Sequence, residues 1–158
     1  MPTLPQVFVM AGIGRAVSGM TNRVSEWSVD VEEDRRVVSV KAAGIVTATD
    51  VLLAQHVLAA HTRFDPSFAL LLDLRLASDI PVTIPEARTI VERSPIGLHS
   101  PRVIVADTIV SSAIAHGFRA FRDTITGTDV VHVCRSMSEA RQWLVCYRAA
   151  YTTWPRGS

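Results

Sequence analysis

The chain is poor in several things at once. It has a single lysine, Lys41, beside fifteen arginines, and its 15 acidic residues bring the formal net charge to +1. The arginines are interspersed with acids along the whole length, so no basic stripe exists to follow a phosphate backbone, which argues against a nucleic-acid partner. No apolar run approaches the ~18 residues of a membrane span. The N-terminus lacks a basic segment and Arg15 interrupts its apolar stretch, so neither a span nor a secretory signal is expected. The compartment expected is the cytoplasm. Only two cysteines occur, Cys134 in an apparent strand and Cys146 in an apparent helix, and both read as buried thiols rather than a disulfide. The histidines, at 56, 61, 99, 116 and 132, show no metal-ligand spacing. His61 and His132 read as core or rim histidines, with the strand of His132 expected inside the sheet.

What is present is globular. A chain of 158 residues, 48% hydrophobic and 20% charged, fits one domain with a real core. Near its start, "AGIGRAVSG" follows the apolar run "VFVM" and looks like a phosphate loop. The pattern fails the chemistry. A dinucleotide fingerprint needs G-x-G-x-x-G ahead of a helix, yet position 17 is Val and "MTNRVSEW" lacks a helical period. There is no G-K-[ST] either. Residues 1–24 are therefore expected to form a flexible or loosely packed arm, residues 25–148 the domain, and 149–158 a frayed tail.

The domain opens with alternation. Trp27, Val29 and Val31 alternate with Ser28 and Asp30, "EEDRR" supplies a polar turn, and Val38, Val40 and Ala42 alternate again up to Gly44. This predicts an antiparallel hairpin. Beyond it the pattern becomes helix, strand, helix, strand, helix, strand, helix. Three helices start with a hydroxyl followed three residues later by an acid: Thr47 with Asp50, Thr83 with Glu86, and Ser136 with Glu139. Each pair can satisfy two orphan backbone donors reciprocally. The helices carry apolar stripes. They are Val51, Leu53, Ala54, Val57, Leu58 and Phe64; Ile84, Ala87, Ile90 and Val91; Val110, Ile114, Gly117, Phe118 and Phe121; and Ala140, Trp143, Leu144 and Tyr147. "FALLLDL", "RVIVA" and "VVHVC" are short apolar runs that suit strands covered on both faces.

The order β-β-α-β-α-β-α-β-α carries particular residues with it: "GIVTATDVL", "FDPSFALLLDLRLASDI", "PRVIVADT" and "SMSEARQWL". Over about residues 27–145 they resemble the SpoIIAA-like, or STAS-like, family. The resemblance implies a single α/β domain with a mixed, mostly parallel five-stranded sheet and helices on its faces. Characterised members act by binding, as phosphorylation-regulated anti-sigma-factor antagonists or cytoplasmic domains of anion transporters. A more distant likeness in fold links them to lipid-carrying CRAL-TRIO domains. In the antagonists a Ser at the helix start after the Asp-Leu strand accepts phosphate. Here that stretch runs Asp79, Ile80, Pro81, Val82, Thr83, so Thr83 is the one hydroxyl, about one position displaced, and its expected role is the helix cap.

Ligands of open α/β sheets gather beyond the carboxyl ends of the strands. The candidate ligand- or partner-binding residues there are Asp73, Asp79, Thr83, Asp107 and Arg135. Asp73 has a structural alternative, pairing with Arg75 or Arg135. No nucleophile with an orienting base is found, and "SSAIAH" near Asp107 lacks the nucleophile elbow of a hydrolase. The expectation is a cytoplasmic, non-catalytic binding or regulatory module with no cofactor and no metal. It acts through protein partners, with room for a homodimer, or alternatively carries a small apolar, lipid-like ligand between sheet and helices.

Overall fold

The structure, a computed structural model, describes residues 8–12, 25–126 and 130–152. The predicted hairpin forms from β2 (Ser25–Glu32) and β3 (Val37–Ile45), with Trp27, Val29 and Val31 buried and their neighbours more exposed. A short 3-10 turn over Glu33–Arg35 joins them, closed by Arg36 in the left-handed region at φ 53°. The run expected to end in an arm instead supplies β1 (Phe8–Gly12), which pairs antiparallel with β2. The sheet thus has a sixth strand beside the five expected. The glycine-rich stretch beyond Gly12 lies outside the described residues.

From β3 the chain runs α1 (Ala48–Ala59), β4 (Ala69–Asp79), α2 (Ile84–Glu92), β5 (Arg102–Val105), α3 (Ile109–Thr126), β6 (Val131–Cys134) and α4 (Met137–Thr152). Strand order follows the sequence, β1-β2-β3-β4-β5-β6, and β3 to β6 are mutually parallel. His132, expected in an inner strand, therefore sits on β6, the last strand in the order. Four residues of apolar sequence do not reveal whether a further strand follows.

Each parallel step moves the same way across the sheet, and right-handed crossovers then put their helices on one face. The packing agrees. Trp27, Val29 and Val38 pack with Leu58 of α1, while Ala42, Leu74 and Ile104 pack with Ala115 of α3. Gln55 Nε2 of α1 donates to the Ile90 carbonyl of α2 at 2.9 Å, joining those helices on the same side. The opposite face, carrying Val37, Leu71, Val103 and Val105, is covered by Ala140 and Leu144 of α4. Arg141 ties α4 to the hairpin through Glu32, with Nη2 2.8 Å from Oε1 and Nη1 3.1 Å from Oε2.

The capping devices form with two differences. Thr47 and Thr83 close complete boxes. Ser136 accepts from Glu139 N at 3.1 Å, but the Glu139 carboxylate accepts from Arg135 N instead of Ser136 N. Helix α3 has a cap the sequence reading missed: Thr108 and Ser111 exchange backbone-to-hydroxyl bonds, each of 3.0 Å, with Ser in the place of an acid. Helix α1 ends at Ala59, short of Phe64, which meets Phe68 edge-on at 6.2 Å. Helix α4 runs past residue 148 to Thr152, into the segment expected to fray.

Both cysteines are free; Cys134 is buried as expected, but Cys146 is exposed. Its place on α4 falls off the stripe formed by Ala140 and Leu144, so the residue turns to solvent. Burial pushes the Cys134 thiol up, further from the reactive thiolate. No described helix is long and apolar enough to cross a membrane.

Candidate functional site

The sheet face under α1, α2 and α3 is not filled. A cavity of about 410 Å³ lies there, floored by Val40, Ala42, Leu72 and Leu74 and walled by the three helices. Its size falls within the range of roughly 300–1,000 Å³ for small-molecule sites. The wall is overwhelmingly apolar, with Asp50, Thr83 and the indole of Trp27 as its polar members. The Trp27 N–H is buried with no hydrogen-bond partner among the described residues.

The local sequence explains why the space stays open. The apolar stripe of α3 predicted from periodicity, Ile114, Phe118 and Phe121, is half-buried: Ile114 and Phe118 pack against the sheet's core, and all three also line the cavity. The buried residues of α3 are Ser111, Ala115 and, near its end, Arg122, one step around the helix. Small side chains at Ser111 and Ala115 let α3 sit close to β4 and β6. Gly117 also lines the cavity, and a Cβ built on it would meet nothing within 4 Å.

The exposed lining residues are Thr83 and Ile84 at the start of α2 and Gly117 of α3, so the cavity opens along them. Ile84 is 71% exposed. Thr83 N donates to Glu86 Oε2 at 2.8 Å, and its hydroxyl accepts from Glu86 N at 3.4 Å. On the α1 side Asp50 Oδ2 accepts from Thr47 N and Thr47 Oγ1, both at 2.9 Å, and from Ser25 Oγ at 3.2 Å.

The candidates read from sequence are not gathered into one site. Thr83 alone of the five lines the cavity. Asp73 alternates with the cavity floor and faces the α4 side, 6% exposed, where Arg75 grips it. Arg75 Nε lies 2.9 Å from Oδ1 and Nη2 2.8 Å from Oδ2, so the pairing with Arg75 is the one realised. Burial alone would push the Asp73 carboxyl up. The bonds from Arg75, with the charges of Arg75 and Lys41, outweigh it and hold the group below the ordinary carboxylate range. Asp107 is exposed and contributes to the field on Arg75. Asp79 is exposed and serves the backbone, its carbonyl accepting from Val46 N at 2.9 Å. Arg135 is exposed beyond β6, its backbone N–H bound to Glu139 at 3.1 Å.

His132 stacks on Trp143 with centroids 4.8 Å apart and planes 2° from parallel, and Trp143 stacks in turn on Tyr147 at 5.0 Å. Burial and the charge of Arg119 lower its pKa against the opposing pull of Glu139. Such a ring is a packing element. Among the described residues no group of three or more His, Cys, Asp or Glu is placed to hold a metal ion.

Sequence reasoning missed Trp27, Asp50 and Gly117 as members of a site. Trp27 and Asp50 already had sufficient roles, as strand core and helix cap. Gly117 was the available signal: a glycine inside an apolar helical stripe removes the side chain that would otherwise close the gap.

No family model matches the chain, and no curated protein matches it. Among solved structures it is similar to an uncharacterised protein of the DUF3478 family from Shewanella loihica, described as having a SpoIIAA-like fold. The two share 13% identity over 91% of this chain and 98% of the other, with a TM-score of 0.47.

Proposed function

We propose that this chain is a non-catalytic binding domain whose site is the cavity between the sheet and α1–α3, and that it takes a small apolar ligand. The cavity itself carries the reading: about 410 Å³ of space walled by aliphatic and aromatic side chains. A packed domain interior seldom leaves voids larger than a water molecule. Burial of an apolar molecule would contribute roughly 25 cal/mol for each Å² removed from water, on both partners. The opening beside Thr83, Ile84 and Gly117 gives a route in, and among the described wall residues none pairs a nucleophile with a base.

Gly117 supplies the test. Replacing this exposed helical glycine by leucine should stabilise the fold by about 1 kcal/mol, and the new side chain should obstruct the opening of the cavity that Gly117 lines. Saturating 1-decanol should raise the unfolding midpoint of the natural chain, because a ligand that binds only the folded state stabilises it. It should not raise that of Gly117→Leu. Equal shifts in both proteins, or none in the natural chain, would contradict the reading.

A second reading, a regulatory module that docks a protein, has its own support. Leu76, Ile84, Ile109 and Val110 are 60%, 71%, 91% and 51% exposed. All four lie toward the carboxyl ends of β4 and β5 or at the helix starts that follow them. Native mass spectrometry of freshly purified protein separates the two. A bound small molecule supports the carrier, and an additional protein subunit supports the docking module.

A further inference from the structure

The charged groups around the cavity are of one sign, beside the Trp27 N–H and the Thr83 hydroxyl. Asp50 is the charged residue in its wall, and no described Arg, Lys or His lines it. Arg122 stands over the Phe118 ring, 5.9 Å from its centroid, but is not among the lining residues. At the mouth the Glu86 carboxylate is bound to Thr83 N at 2.8 Å. Both helix starts that border the cavity would ordinarily attract an anion through their free N–H groups and dipoles. Here each start already holds a carboxylate of its own chain, Asp50 on α1 and Glu86 on α2. An entering carboxylate or phosphate would lose hydration, meet two anions and find no cation in the wall. An ammonium would find these two carboxylates already engaged, Asp50 Oδ2 by three donors and Glu86 Oε2 by Thr83 N.

Building on the ligand reading above, we infer that the cavity selects an uncharged amphiphile, such as an alcohol, ketone or ester, and rejects the carboxylate of the same chain length. Asp50 and Glu86 thus act twice, as helix caps and as a charge filter for the cavity.

The experiment is calorimetric titration of the full chain at neutral pH with 1-decanol, decanoate and decylammonium, each below its micellar concentration. Decanol should bind at least about tenfold more tightly than decanoate, since burying or crowding an unpaired charge is costly. In Asp50→Asn, whose amide oxygen keeps an acceptor for Thr47, decanoate should gain severalfold while decanol changes little. Glu86→Gln provides the same comparison at the mouth if Asp50→Asn folds poorly. Decanoate binding as well as decanol, decylammonium binding more tightly than decanol, or a gap unchanged in both variants would overturn the charge filter while leaving the cavity a ligand site. Absence of binding by all three would remove the ligand reading itself, and the filter with it.

Discussion

Asp73 shows how one residue can look like a site and serve the fold. An acid directly after "LLL", expected at a strand end, suggests ligand chemistry, but Asp73 stands within β4, which runs on to Asp79, and two bonds of 2.8 and 2.9 Å from Arg75 use both of its oxygens. Its pairing has a pH signature. The folded carboxyl sits below the unfolded value near 3.9, so its contribution to stability is complete above that value. It is lost as pH falls toward the folded pKa. Denaturant unfolding between about pH 5 and pH 2 should therefore show a shallower loss of stability in Asp73→Asn than in the natural chain. Equal slopes would mean that the pair contributes nothing through ionisation. Glu32, also held low against the cost of burial by Arg141 and Ser39, titrates in the same window and remains in both proteins, so the difference belongs to Asp73.

At the scale of elements, capping was the most legible feature and edge position the least. A hydroxyl three residues before an acid is a local rule, and Thr47 and Thr83 obey it fully. Thr83→Ala should cost about 1 kcal/mol and Thr83→Ser should be nearly neutral, since serine caps as well as threonine. Chemical denaturation of the two variants checks this, and a neutral alanine variant would show that Glu86 alone holds the helix start. The strand containing His132 illustrates the opposite case. Whether a short apolar strand is inner or outer depends on what pairs beyond it, which no local pattern encodes. The stripe of α3 is subtler: its period is legible from Ile114, Phe118 and Phe121, but these side chains border a cavity as well as the core. Periodicity reports which residues avoid water and is silent on what they meet. For the same reason the exposed Cys146 was missed, because a thiol's apolar character does not place it on a stripe.

For the whole molecule, the order of strands and helices was legible because parallel steps need crossovers and crossovers have one hand. That order puts three helices over one sheet face and leaves α4 to cover the other. The cavity was not legible, because a packed core and a ligand wall are built from the same side chains. It is also the central claim, and methyl NMR reads it directly. On adding 1-decanol to the full chain, the methyl groups of Ile80, Ile90, Ile114 and Val91, all lining the cavity, should shift together and saturate. Those of Val103 and Val105, packed under α4 on the far face, should stay in place. Shifts confined to exposed positions such as Val145 and Leu98, or no saturable shift at any of the four lining residues, would contradict the account.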